Sequence, residues 1–289
     1  MTTDDLKEKL HDLLARLPIE RFRNPPPVVG VLRFEGVIGR SVGPGHPGIT
    51  LAGHERAIAK LFSHKRLKAV AVLVNSPGGS PVQSALIAKR VRDLADEKDL
   101  PVVSFCEDVA ASGGYWLACI GDEIFADANS IIGSIGVISA GFGFADLIER
   151  FGIERRVYST GPRKGMLDPF RDEKSEDVDR LRELHENIFE NFKNHVRRCR
   201  GNRLMASDDA LFTGDIWTGS QALEVGLIDG LAEMRSEMRK RFGEKVKFRR
   251  AEVRRGLFSR LRGGTRVQIE PAGLITALEE WALWKRYGL

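Results

Sequence analysis

No long apolar run exists in this chain of 289 residues; the longest is six, far short of the ~20 that a membrane-spanning helix needs. The N-terminus carries Asp4 and Asp5 ahead of any apolar stretch, so no secretory leader is expected. Cysteine is scarce. Cys106, Cys119 and Cys199 are odd in number and lack ligand spacing, which argues against a disulfide framework or a zinc site and fits reduced thiols in the cytoplasm. Cys106 and Cys119 fall in apolar segments and read as core. The Asn75-Ser-Pro-Gly-Gly79 turn matches neither of the Gly-rich phosphate signatures, Gly-x-x-x-x-Gly-Lys-Ser/Thr and Gly-x-Gly-x-x-Gly. No metal or cofactor is called for.

What remains is the composition of a folded enzyme, 42% hydrophobic and 29% charged. Strand and helix patterns alternate from Val28 to about Gly152, the signature of an α/β layered sheet with helical crossovers. Ala69–Val74 is a buried strand, and Asn75-Ser-Pro-Gly-Gly79 breaks it before an amphipathic helix bearing Val82, Leu86, Ile87, Val91 and Leu94. A Gly-Gly turn at a strand end exposes backbone N–H groups, as an oxyanion hole requires; a plain strand-to-helix turn fits this segment equally.

Pro101–Phe105 reads as a second strand, and Ala110-Ala-Ser-Gly-Gly-Tyr-Trp116 as a turn into a short helix. Ser112 at that turn is a candidate nucleophile, with Gly113 and Gly114 clearing space beside it for a substrate backbone. Taken alone, it is as readily a helix N-cap. A Ser-His-Asp triad does not fit. His11, His185 and His195 sit on helices read as charged, His46 and His54 flank a Gly/Pro loop, and His64 lies among Lys65, Arg66 and Lys68. The Gly-x-Ser-x-Gly elbow is absent because Ala110 stands two before Ser112. Residues 153–158 read as a strand, followed by a Gly/Pro-framed loop with Lys164, which is either a desolvated base or an ordinary surface lysine. Asp168, if close, would oppose such a role unless turned away or neutralised by Arg163 or Arg171.

Five ordered segments carry a resemblance to peptidase family S49, the signal peptide peptidase A and SohB-like serine proteases. They are Asn75–Gly79, Ala110–Trp116, Ile132-Gly-Ser-Ile-Gly-Val-Ile138, Gly161-Pro-Arg-Lys164 with Pro169, and Phe212–Asp229. The resemblance covers about residues 28–232 and implies a crotonase/ClpP-like fold. It also implies a serine endopeptidase with a Ser-Lys dyad: Ser112 as nucleophile, Lys164 as base, Gly79 and Gly113 N–H as oxyanion hole, and Ser134 orienting the lysine. Peptides or membrane-derived fragments would be the substrates. A single-copy member implies a ring-like homo-oligomer whose dyad is completed between neighbouring chains. Two other readings use the same fold, an acyl-CoA hydratase or isomerase with a carboxylate base and a catalytically silent peptide-binding scaffold.

The ends differ in character. Residues 1–27 comprise an amphipathic helix over 3–17 and a Pro-rich linker; 28–240 form the peptidase domain; 241–289 form a basic tail with an amphipathic helix after Pro271. Residues 245–266 hold nine Lys/Arg against one acid. This suits an anionic membrane surface, a subunit contact or a solvated face. No nucleic-acid fold accompanies the charge, so nucleic acid is not expected. The expected location is cytoplasmic, or peripheral at the inner face of the membrane.

Overall fold

A computed structural model describes residues 25–39, 48–161, 163–252, 282 and 284–287. The helix expected over 3–17 and most of the basic tail, including the helix expected after Pro271 up to residue 281, lie outside the described residues. The frame is an eight-stranded sheet. Its strands are β1 (Val28–Glu35), β2 (Leu67–Ser76), β3 (Val102–Ala111), β4 (Glu123–Ala126), β5 (Ile131–Gly133), β6 (Ile216–Thr218), β7 (Gly230–Leu231) and β8 (Lys247–Arg250). The main path runs β6-β5-β3-β2-β1-β8, with β4 paired to β3 and β7. All pairs are parallel except β5 with β6. This is the layered α/β fold expected from the sequence.

Parallel pairing needs long crossovers, and α1 (Leu51–Phe62) and α2 (Pro81–Asp96) supply the first two. Thr50 and Ser80 cap them, each side-chain oxygen accepting a backbone N–H of the first turn. Ile58, Leu61 and Phe62 of α1 and Ile87, Val91 and Leu94 of α2 join Val70, Val72 and Val74 in one core. The opposite sheet face, with Val29, Val31, Ala71, Leu73 and Val103, is covered by Met234 and Met238 of α8 (Met234–Phe242). A strand buried on both faces must be apolar at successive positions, which is why 69–74 shows no alternation.

The sheet forks along β3. Its first half pairs with β4 and its last residues pair with β5. Between the halves, the register with β2 slips from Val74↔Cys106 to Ser76↔Ala110. Asn75 fills the irregularity: its Nδ2 donates to Asp108 Oδ2 at 2.9 Å, and its Oδ1 accepts from Val109 N at 3.2 Å. The slip carries Ala110 and Ala111 opposite the end of β2 and brings the two following turns together.

Helix α3 (Gly113–Ala118) follows β3, α4 (Ala145–Arg150) follows β5, and α5 (Ser175–Arg200) is the long helix expected at 175–199. Two short helices, α6 (Asp208–Leu211) and α7 (Gly219–Glu224), flank β6. Residues 153–158 are not a strand; they find no sheet partner and, apart from half-buried Val157, are exposed. The basic run divides. Lys247, Arg249 and Arg250 lie in β8, which pairs with β1, so the sheet extends past the boundary expected at residue 240. Among the described residues, no helix is long and apolar enough to cross a membrane.

One buried ion pair ties α5 to the sheet. Arg200, 1% exposed, donates to both oxygens of Asp229 at 2.6 and 3.0 Å and through Nε to Gly226 O at 2.9 Å. Asp229 Oδ2 also accepts from Ile124 N at 2.7 Å, at the start of β4. Burial pushes the Asp229 carboxyl up, but the hydrogen bonds from Arg200 and Ile124 outweigh it and hold it below its ordinary range. Truncating one partner of such a pair leaves a buried charge uncompensated, so Asp229→Ala should cost about 3 kcal/mol in urea unfolding at neutral pH. A carboxyl with a depressed folded-state pKa stabilises above its unfolded value and loses that contribution as pH falls. The wild type should therefore weaken below about pH 4 more steeply than Asp229→Asn. Parallel stability curves for the two proteins would contradict this role.

Candidate active site

Ser112 occupies a conformation that side chains seldom adopt, with φ +52° and ψ −121°. Its N–H donates to Gly133 O at 2.7 Å, and its own carbonyl accepts from Trp116 N at 3.1 Å. The hydroxyl makes no capping bond to α3. Ser112 thus stands at the N-cap position of α3 without capping it through its side chain. The backbone aims the side chain away from the helix and into a cavity of about 530 Å³, where Ser112 meets Gly79, Gly113 and Ser134.

The glycines are required by contact. A Cβ on Gly78 would lie 2.8 Å from Ser112 Cβ and 2.9 Å from Gly113 N, and one on Gly79 would lie 2.0 Å from Ile38 O. Both have positive φ, +106° and +136°, which glycine adopts without the Cβ clash. Ile38 holds this turn by donating to Gly78 O and accepting from Ser80 N, both at 2.8 Å. Gly79 N and Gly113 N stand side by side: a Cβ on Gly113 would lie 3.4 Å from Gly79 N. Neither N–H donates to a described residue. Two unpaired donors beside an uncommitted hydroxyl can stabilise an oxygen that gains negative charge.

Ser134 is buried, has φ +51°, and donates its N–H to Asp215 O at 2.7 Å. Thr213 and Gly214, before β6, line the same cavity. Its apolar walls come from Trp116, Ile188, Phe192, Val137 and Ile138. Trp116 is stacked between Phe192 and His195, with ring centroids 5.0 and 4.5 Å away. Trp116, Val137 and Ile138 fall within segments that carry the family resemblance, whereas only the fold brings Ile188 and Phe192 of α5 to the same cavity. No carboxylate among the described residues lines the cavity.

Lys164 is not brought to Ser112 within the chain. It is exposed in a turn and lines a separate cavity with Val157, Tyr158, Ser159, Thr160 and Gly165. The surrounding segment, roughly 137–174, packs mainly on itself: Phe144 stacks on Phe170 at 5.6 Å, and α4 buries none of its residues. Ile138, Phe142, Phe151, Ile153 and Tyr158 are 57–92% exposed. Asp168 is neutralised by Arg155, with Arg171, one of the two cations expected, contributing at longer range. Its Oδ1 accepts from Phe170 N at 3.1 Å and its Oδ2 pairs with Arg155 at 3.2 Å. The Phe170 N–H and then Arg155 hold this carboxyl below its ordinary range. Among the described residues, no group of three or more His, Cys, Asp or Glu is placed to hold a metal ion.

The family model of peptidase family S49 matches residues 95–247. Across 98% of its length the chain is 46% identical to a protein of Brucella abortus (strain 2308) named Na(+)/H(+) antiporter NhaA, covering 40% of that protein. It is 34% identical over 172 residues to the putative signal peptide peptidase SppA of Enterococcus faecium, 60% of this chain and 49% of the relative. Serine protease SPPA, chloroplastic, of Arabidopsis thaliana is 31% identical over 208 residues, 70% and 30% of the two lengths. The chain thus spans less than half the length of each of these relatives.

Contact between the two turns can be tested by adding single methyl groups. A Cβ on Gly114 would lie 2.4 Å from Ser76 O, whereas one on Gly141 meets nothing within 4 Å. Gly114→Ala should destabilise the fold by about 1–3 kcal/mol through overpacking, and Gly141→Ala by less than about 0.5 kcal/mol. Equal urea midpoints for the two variants would show that the turns do not meet in this way.

Proposed function

Since the chain belongs to peptidase family S49, we propose that it is a serine endopeptidase acting through Ser112 and Lys164. The observation that carries this reading is the Ser112 hydroxyl, held by strained backbone beside the N–H groups of Gly79 and Gly113, which donate to no described residue. Lys164 Nζ takes the Ser112 proton as Oγ attacks the peptide carbonyl carbon. Gly79 and Gly113 N–H groups hold the resulting oxyanion. Collapse breaks the C–N bond, and the Lys164 ammonium returns the proton to the leaving amine. Lys164 then deprotonates a water that hydrolyses the acyl-serine. Ser134 positions the lysine from the same cavity.

The dyad in this proposal forms between subunits of a ring-like homo-oligomer. Lys164 and Ser112 line different cavities, and Lys164 sits on a segment rich in exposed apolar side chains. Such a surface suits burial against a second copy. Closure of that interface would desolvate the lysine, the condition under which a lysine serves as base. The apolar walls of the Ser112 cavity favour an extended peptide with apolar side chains.

A location at the inner face of a membrane is part of the same proposal. It rests on the charge of residues 245–266, and relatives named antiporters are consistent with it. The chain should cosediment with vesicles containing anionic lipid at low salt and be released by ~0.5 M salt. Equal binding to neutral vesicles would remove the electrostatic reading.

Ser112→Ala and Lys164→Ala should each reduce hydrolysis of a peptide library by at least about a thousandfold, with unchanged circular dichroism. Mixing the two inactive variants should restore part of the activity, because some interfaces pair an intact serine with an intact lysine. Lys164→Arg should stay inactive, since a guanidinium stays protonated and cannot accept the serine proton. Verified mixed oligomers without rescue would place the base elsewhere. Full turnover by Lys164→Ala would end the dyad reading.

A further inference from the structure

Cys119 and Cys199 lie 80 positions apart in sequence, but the fold brings them together at the end of α3 remote from Ser112. Cys119 caps the C-terminus of α3, and Cys199 lies in the last turn of α5. Each thiol shifts the ionisation of the other. Both line a cavity of about 720 Å³, distinct from the one that holds Ser112, so small solutes can reach them. Cys119 is buried and Cys199 is partly exposed.

His195 and Arg198 make this pair chemically unequal. His195 Nε2 donates to Trp116 O at 3.1 Å, which leaves Nδ1 as the acceptor. Nδ1 accepts from Arg198 at 3.2 Å and faces Cys199 Sγ at 3.8 Å. A base and a guanidinium thus stand beside one thiol. Other cations of the cavity are committed elsewhere: Lys89 to Asp93, Arg92 to Asp96 and Asp122, Arg203 to Asp229. Arg198 forms no ion pair with a described carboxylate, so its charge is available to the sulfur. Neighbouring Cys119 first, then His195 once it has taken the sulfur's proton, and Arg198, hold the Cys199 thiol well below its ordinary range, against its partial burial. Burial pushes Cys119 up, and likewise raises Cys106 to about 12.

We propose that Cys199 and Cys119 are a redox-active thiol pair, a site of oxidation by hydroperoxides that closes into an intramolecular disulfide. The Cys199 thiolate attacks the distal peroxide oxygen and breaks the O–O bond. Sulfur is oxidised to sulfenic acid, and the hydroperoxide is reduced to its alcohol, or to water in the case of hydrogen peroxide, with uptake of one proton. The Cys119 sulfur then attacks the sulfenic sulfur; an S–S bond forms, and the hydroxyl leaves as water with the Cys119 proton. A low-molecular-weight dithiol reverses the step by exchange. The disulfide fastens the C-terminal end of α3 to α5. This chemistry stands whether or not Ser112 is a nucleophile.

The test uses the full chain, freshly reduced and treated with hydrogen peroxide in slight excess. Remaining thiols are alkylated and the peptides mapped by mass spectrometry. The expected product links the Cys119 and Cys199 peptides within one chain, leaves Cys106 reduced, and is restored by dithiothreitol. Before oxidation, iodoacetamide at pH 6 should modify Cys199 at least about tenfold faster than Cys106. Cys119→Ser should accumulate a sulfenic acid at Cys199 that dimedone traps; Cys199→Ser should give neither adduct nor disulfide. Three results would overturn the proposal: oxidation at Cys106 first, links only between chains, or Cys199 alkylation no faster than that of Cys106. The alkylation rates come from the unaltered protein and need no variant to fold.

Discussion

Two turns of this chain touch through their backbones, and the rest of the site follows from that contact. Gly78 lies where a Cβ would be 2.8 Å from that of Ser112, and Gly114 lies against Ser76 O. Adjacent parallel strands are about 4.8 Å apart, so turns leaving their ends collide unless side chains are absent. The register slip between β2 and β3, with Asn75 bridging it, sets how far each turn protrudes. Ser112 is left with a φ that would cost of order 1–3 kcal/mol in isolation. Packing on both sides over-determines it.

Behind the turns, α3 is a short and fully buried strut. Tyr115 donates to Leu227 O at 2.6 Å, Trp116 stacks on His195, and Arg200 grips Asp229. The first and last of these contacts converge on the loop before β7, so one end of α5 and the start of β4 share an anchor. Polar groups in so dry a place are tolerated because nearly all are satisfied. Among the described residues, Ser104 Oγ is the buried side-chain oxygen or nitrogen left without a partner. A network of this kind fixes the helix ends while leaving the cavity walls apolar.

Much of this was legible in the sequence where the signal is local. Ser112, Gly79 and Gly113 announce themselves because a strand, a small-residue turn and a helix follow one another directly. Lys164 was legible only as a residue type in a loop. Its distance from Ser112 within the chain depends on a segment that packs on little else. Residues 153–158 misled because β-branched and aromatic residues suggest a strand, but strand formation depends on an available sheet edge. His195 reads from the sequence as part of a charged helix, although Phe192, His195, Val196 and Cys199 recur at spacings of three and four, a largely buried stripe within an otherwise polar helix. The Arg200–Asp229 pair and the Cys119–Cys199 pair carry no local signal at all, since topology alone joins them.

Helix α5 has 26 residues, and apart from Asp177 its buried side chains, Phe192, His195, Val196 and Arg200, fall in the last third. It therefore works as a rod clamped near one end, about 39 Å long at 1.5 Å per residue. Its free end continues into the segment that bears Lys164. On such a rod, length and direction are coupled as on a screw: each added residue lengthens it by ~1.5 Å and turns the far end by ~100°. An insertion of seven residues nearly restores the heading but displaces it by ~10 Å. The number of residues in α5 is thus a gauge, setting both how far from the sheet the lysine-bearing segment stands and which way it faces.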